Sequence, residues 1–139
     1  MLDLSSFKKA VRSLKVALAV AFDNQQIAQS SDDIKKTVRA GVIQNFEFTY
    51  ELCWKFMKRW LENNVGSAYV DGLSRYELFR LAAEHHLIGN VEKWIAYHDL
   101  RNETSHIYEE ATAEEMLEAA VGFAEDAEGL LANLEKKNA

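Results

Sequence analysis

The chain contains no proline. Proline removes a backbone donor and breaks helix interiors, so its absence leaves long uninterrupted helices open to every segment. Cysteine is almost missing too. Cys53 stands alone among 139 residues, which excludes an intrachain disulfide and fits a reducing, cytoplasmic setting. Long hydrophobic runs are also lacking: the longest wholly apolar stretch, Val16 to Phe22, falls far short of the roughly 20 residues a membrane-spanning helix needs. That stretch has no signal-peptide cleavage context and continues a helical pattern begun earlier. Finally, there is no cationic excess. The net charge is -6, and a non-specific nucleic-acid binder depends on a basic surface that releases counterions. Any contact with a nucleotide must therefore be local.

The charge is unevenly spread. Lys8, Lys9, Arg12 and Lys15 make the amino end basic, whereas eight acidic residues and no Lys or Arg lie between Glu109 and Glu128. A hydrophobic fraction of 48% marks the chain as globular rather than disordered, and its length suits one domain, residues 1–139.

Apolar residues recur at helical spacing throughout. Leu4, Phe7, Val11, Leu14, Leu18 and Phe22 predict a first amphipathic helix over about 4–28, fading near Gln25 to Gln29. Ser31-Asp32-Asp33 offers an N-cap and an acidic first turn for a second helix over 32–63. On it, Val38, Val42, Phe46, Cys53, Phe56, Met57 and Trp60 form a stripe that Ile43, Tyr50, Trp54 and Leu61 widen to nearly half the circumference. Such width predicts burial on two sides, a bundle interior and a subunit interface, hence a homodimer. Gly66 to Gly72 reads as a loop. The capping box Ser74-x-x-Glu77 opens a short third helix over 75–86, which Gly89-Asn90 breaks. A fourth helix is predicted over 91–108. Thr112-x-x-Glu115 is a second capping box, opening a last helix over 113–136 whose seam is Met116, Ala120, Phe123, Ala127, Leu130 and Leu134. Four long helices and one short one, without strand pattern, repeat or glycine-rich phosphate loop, predict an all-α, antiparallel up-and-down bundle.

The fourth helix breaks the pattern. Its apolar stripe, Val91, Trp94 and Ile95, continues at the same azimuth as His98, Asn102 and Ser105, flanked by Arg101 and His106. Unpaired polar groups cost on the order of 1–3 kcal/mol each when buried, so these should pair with one another or line a cleft. Arg101 and His106 do not share a face closely, so a compact site needs Arg101 to bend back or a second subunit to supply its copy. A guanidinium holds phosphate bidentately, an imidazole takes or gives a proton near neutral pH, and Asn102 can orient either. The set suits metal-free phosphodiester cleavage or recognition of a nucleotide phosphate. The plainer alternative is that Arg101 pairs with a carboxylate, His106 is a satisfied helix-end histidine and Tyr108 packs.

Three separated motifs occur in register: Phe46-Glu47-x-Thr49-Tyr50-Glu51-Leu52-x-Trp54-Lys55, Leu87-Ile88-Gly89-Asn90-x-x-x-Trp94, and Arg101-Asn102-x-x-x-His106-x-Tyr108. With them the chain resembles the nucleotidyltransferase substrate-binding protein family of the HEPN superfamily, from about Phe7 to the last helix. The resemblance implies a helical bundle, as a homodimer or as a heterotetramer with its partner, beside a separately encoded minimal nucleotidyltransferase whose substrate or nucleotide this subunit binds. Related HEPN proteins are metal-independent ribonuclease toxins with paired Arg-x4-His motifs in a cleft at the dimer interface, neutralised when the partner adds AMP to a tyrosine just after the His. Carried over, Arg101 holds the phosphate, His106 is the general acid or base, Asn102 assists, and Tyr108 is the modification target. Glu103, Glu109 and Glu110 surround this motif with negative charge that repels RNA, which weighs against the ribonuclease reading.

Other candidates carry less. Glu47 and Glu51, one turn apart, belong to the resemblance and join the substrate-binding set; alternatively they form a solvated stripe supported by Lys55. His85-His86 lacks the partners of a metal template, and no metal or cofactor is expected. Arg75 and Arg80 could approach a phosphate at a cleft but are read as surface-paired, Trp54, Trp60 and Trp94 as core or interface anchors, and Cys53 as buried and inert.

Overall fold

The structure, a computed structural model, describes residues 1–23, 29–103 and 110–138. Six helices lie in them: α1 (Ser5–Ala21), α2 (Asp32–Asn64), α3 (Ser67–Val70), α4 (Arg75–Glu84), α5 (Val91–Glu103) and α6 (Glu110–Asn138). No strand occurs among the described residues.

The long helices alternate in direction, as their contacts show. Phe7 stacks on Phe56, Ser13 Oγ donates to Asn45 Oδ1 and Thr49 Oγ1 donates to the Ala10 carbonyl, so α1 and α2 are antiparallel. Tyr50 meets His98 and Glu47 meets Arg101, so α5 runs against α2. Phe46 meets Phe123 and Trp60 meets Lys137, so α6 runs with α2 and against α5. The result is an all-α up-and-down bundle, with α3 and α4 inserted between its second and third long helices. Leu2 and Asn138 exchange two hydrogen bonds, fastening the start of α1 to the end of α6.

Periodicity explains the core. α1 buries Phe7, Ala10, Val11, Leu14 and Leu18, α6 contributes Met116, Ala120, Phe123, Ala127, Leu130 and Leu134, and Cys53 is buried, which pushes its thiol up. The wide stripe of α2 is used within one chain. Val42, Phe46, Thr49, Tyr50, Cys53, Phe56, Met57 and Leu61 are buried there, against α1 on one side and α4, α5 and α6 on the other. The width therefore does not require a second subunit, and the sequence argument for a homodimer loses that support.

Several boundaries differ from those the sequence predicts. α1 ends at Ala21 with Phe22 as its C-cap, short of 28. The expected loop after Gly66 contains α3, one turn long, entered through Gly66 at φ 125°, a conformation closed to most side chains. α4 stops at Glu84 rather than 86, ahead of Gly89. His86 adopts φ 61°, its N–H donates to the Ala83 carbonyl and that of Leu87 to Ala82, which is a Schellman termination with histidine where glycine is usual. Asn90 caps the next helix by accepting from the Lys93 N–H. α6 begins at Glu110, so Thr112 lies inside the helix and is not its N-cap.

The first capping box does form. Glu77 N–H donates to Ser74 Oγ and Ser74 N–H to Glu77 Oε1. The Ser74 backbone N–H, and after it the Ser74 hydroxyl, hold the Glu77 carboxyl below its ordinary value. Since the folded value lies below the unfolded one, this contribution is present above the unfolded pKa and is lost as pH falls through the folded one. Ser74→Ala should destabilise the protein by about 1 kcal/mol near neutral pH, and the deficit should shrink on acidification. Urea titrations at neutral pH and at pH 3 check both; a deficit that does not change with pH would contradict the assignment.

Candidate functional site

The second helix carries Glu47, Tyr50, Glu51 and Trp54 at i, i+3, i+4 and i+7, which places them on one face. That face meets the last described turn of α5 and the first residue of α4. Arg101 reaches across from α5: its Nη1 lies 3.2 Å from Glu47 Oε2 and its Nε 3.6 Å from Glu51 Oε1. All three side chains are about one-third exposed, so the group sits at the rim of the core rather than inside it. The other oxygen of Glu51 accepts from Trp54 Nε1 at 3.0 Å. The Arg75 guanidinium stacks on the Trp54 ring, 3.6 Å from its centroid, and its charge works against the rise that burial imposes on the Tyr50 phenol.

Tyr50 completes the arrangement. Its ring packs on Phe46 and Phe123 and its hydroxyl lies 2.8 Å from His98 Nδ1. Burial is the main cause holding the phenol above the ordinary tyrosine range, so it stays protonated. On its far side His98 Nε2 lies 3.4 Å from Asn102 Nδ2. Tyr97, one residue before His98, donates to Asp126 of α6, and burial followed by that carboxylate pushes its phenol up as well.

The inward face of α5 is thus rotated from the one periodicity suggests. Its buried residues are Trp94 and Tyr97, and Arg101 continues that line instead of flanking it. Asn102 is exposed, not inward-facing. The reason is packing area: the Tyr97 ring, edge-on to Phe123 at 5.1 Å and to Trp94 at 5.4 Å, is buried in the core, while Ile95 packs against it only partly buried.

Of the residues singled out from sequence, Arg101, Glu47 and Glu51 come together, and Asn102 lies beside His98, which meets Tyr50. His106, Tyr108 and Ser105 lie outside the described residues. Arg75 is not surface-paired but stacked on Trp54, and Trp54 is a rim residue as much as a core one. Sequence reasoning passed over the Tyr50 hydroxyl and His98 as its partner, and named Arg75 without its stacking on Trp54. The available signal was the spacing of Glu47, Tyr50, Glu51 and Trp54, four groups with polar atoms along one edge of an apolar stripe. Chemically the set offers two guanidiniums, two carboxylates, an imidazole and a phenol, a balance suited to holding a phosphate-bearing ligand in a fixed orientation. Among the described residues no three His, Cys, Asp or Glu side chains gather as a metal site would require, and no helix is long and apolar enough to cross a membrane.

Comparison with known proteins gives this geometry a context. A probable ribonuclease HepT of Haemophilus influenzae is 33% identical over 140 residues, which span 99% of this chain and 94% of that protein. A solved Haemophilus influenzae structure, described as revealing the fold of a substrate binding domain of a nucleotidyltransferase, superposes with a TM-score of 0.92 at 31% identity, covering 96% of this chain and 99% of that one. A Thermus thermophilus crystal structure matches with a TM-score of 0.71 at 27% identity over 92% of this chain and 98% of its own. Residues 2–136 match the model of the family described as nucleotidyltransferase substrate binding protein like, and the chain belongs to that family.

Proposed function

We propose that this chain is the accessory subunit of a two-component minimal nucleotidyltransferase system, binding the substrate or nucleotide through a phosphate at Arg101, Asn102 and His106, with Glu47 and Glu51 as part of the same site. The observation that carries the reading is the placement of Arg101. Its guanidinium is brought to the rim of the core on a rigid helix, oriented by two carboxylates, in a family whose description is substrate binding for a nucleotidyltransferase. Two copies form a homodimer in this reading, and the exposed Phe48 beside Glu47, 59% accessible, supplies an apolar surface near the site.

A second reading is favoured by the likeness to a probable ribonuclease. In it Arg101, Asn102 and His106 cleave RNA without a metal, and the nucleotidyltransferase silences the site by adding AMP to Tyr108. Expression with and without a separately encoded small nucleotidyltransferase separates the two. The accessory role predicts harmless expression alone, co-purification with the partner, and AMP binding that Arg101→Ala weakens. Growth arrest on expression alone, relieved by His106→Ala, together with an AMP adduct that vanishes in Tyr108→Phe, would replace it with the ribonuclease.

A further inference from the structure

Arg101 comes to the site matched by Glu47 and Glu51, whereas two other cations meet there without an acid. Both gather on the Trp54 indole: the Arg75 guanidinium stands 3.6 Å from the ring centroid and the Lys55 ammonium 5.6 Å. A ring quadrupole attracts a cation but does not neutralise it, and neither group forms an ion pair among the described residues. Lys55 lies one turn after Glu51, the spacing at which a helical Glu and Lys commonly pair. Yet the Glu51 oxygens are engaged elsewhere, one accepting from Trp54 Nε1 and the other facing Arg101 Nε. Arg75 is half-buried, and its Nε is closed to solvent without a hydrogen-bond partner. The group thus sets three cations, Arg101, Arg75 and Lys55, against two carboxylates, in a chain whose net charge is -6. A local positive excess on an acidic protein, built around a guanidinium that stacking holds in place, is the electrostatic mark of an anion site.

We propose that Arg75 and Lys55, gathered on Trp54, form a second anion subsite beside Arg101 that takes a second phosphate group, so that the ligand class is a nucleotide carrying at least two linked phosphates. The inference rests on the reading of Arg101 as phosphate-binding and narrows it to a substrate class. Glu51 ties the two subsites together: its carboxylate runs from Arg101 to the Trp54 N–H and so fixes the indole that carries the other two cations. Pairing sets their roles. Arg101 is oriented by two carboxylates, which also offset part of its charge. Arg75 is oriented by a neutral ring and keeps its full charge for the ligand. It is also the first residue of α4, in a turn that the Ser74–Glu77 capping box holds in place, and a guanidinium fixed in advance loses little freedom on binding. Lys55 is exposed, with a flexible side chain that the ligand itself must order, so it contributes less.

Calorimetric titration of the full-length protein with AMP and with ADP tests this. The wild type should bind ADP about 10-fold more tightly than AMP, because the second phosphate gains charge-assisted hydrogen bonds. Arg75→Ala should abolish most of that preference, lowering ADP affinity about 10-fold and leaving AMP affinity within about 2-fold. Arg75→Lys, which keeps the charge but not the planar fork, should retain part of it. Lys55→Ala changes an exposed position that the fold does not depend on, and should lower ADP affinity about 2- to 3-fold; it carries the test if Arg75→Ala loses its helical circular dichroism. Arg101→Ala should weaken both nucleotides alike, which distinguishes the two subsites. ADP binding no tighter than AMP in the wild type, or an ADP preference that survives both Arg75→Ala and Lys55→Ala, overturns the inference and leaves Arg75 as a pin of α4 on α2. An AMP loss in Arg75→Ala equal to the ADP loss overturns it too, since one phosphate is then shared by both arginines. If neither nucleotide binds, the phosphate-binding reading of Arg101 fails, and the second subsite falls with it.

Discussion

Phe123→Ala should cost the protein about 3–5 kcal/mol, the range for removing a buried phenyl ring when the surroundings collapse only partly. Phe123 is fully buried at the crossing of three helices. Its ring centroid lies 4.9 Å from Phe46, 5.1 Å from Tyr97, 6.0 Å from Trp94 and 6.4 Å from Tyr50. Four aromatic rings share this one partner, so its loss leaves a hole that no single side-chain rotation fills. Domains of this kind are stable by about 5–15 kcal/mol in total, so the variant should melt about 10–20 °C lower, read by circular dichroism or urea titration. Phe123→Leu should lose less than half as much, because most of the volume is kept. A loss under 1 kcal/mol for Phe123→Ala would mean that the aromatic cluster is not the packing centre described here. The variant also reaches the candidate site, since Tyr50 and Tyr97 both rest on this ring; His98 and Arg101 should become less well fixed even where the helices persist.

How far the fold was legible in the sequence depended on how many residues each signal spanned. The α1 stripe of Phe7, Val11, Leu14 and Leu18 covers three turns, and the same face is buried in the structure. Ser74 and Glu77 specify their capping box by two reciprocal bonds, and both form. Thr112 and Glu115 match the same two-residue pattern, yet the helix already begins at Glu110; a short pattern cannot say whether an earlier start is preferred. α3 is one turn long, too short for any period to show. His86 ends α4 in a left-handed conformation, and nothing in its residue type announces that, because the cost is met by the two Schellman bonds around it. On α5 the inward face was misjudged through Tyr97, whose ring outweighs Ile95 in buried area once Phe123 is there to meet it. The candidate site was legible in part. Glu47, Glu51 and Arg101 are visible as motif residues, but their contact is set by the rotation of α5 against α2, which no residue spacing encodes. The stacking of Arg75 on Trp54 joins two positions 21 apart on different helices and leaves no periodic trace.

Arg101→Ala should reduce affinity for AMP or inorganic phosphate by about 10- to 100-fold, the equivalent of one charge-assisted hydrogen bond worth about 1.5–3 kcal/mol. The same substitution should hardly affect stability. The guanidinium is about one-third exposed, and ion pairs at such positions contribute about 0–1 kcal/mol after solvent screening. A large binding loss with a small stability loss is what separates a ligand-holding arginine from a structural one. Glu47 and Glu51 give the prediction a second arm with the opposite sign. They hold Arg101 in place but also compete with a phosphate for its N–H groups, so Glu47→Gln should tighten AMP binding a few-fold at low salt, with the gain fading as salt screens the carboxylate. Calorimetric titration of the wild type and both variants reads all of this directly. If Glu47→Gln weakens binding as much as Arg101→Ala, the carboxylates contact the ligand themselves and are not mere restraints on the arginine. If neither substitution changes affinity, the phosphate is held elsewhere, and the Arg101 cluster is an ion-pair network that fixes α5 on α2.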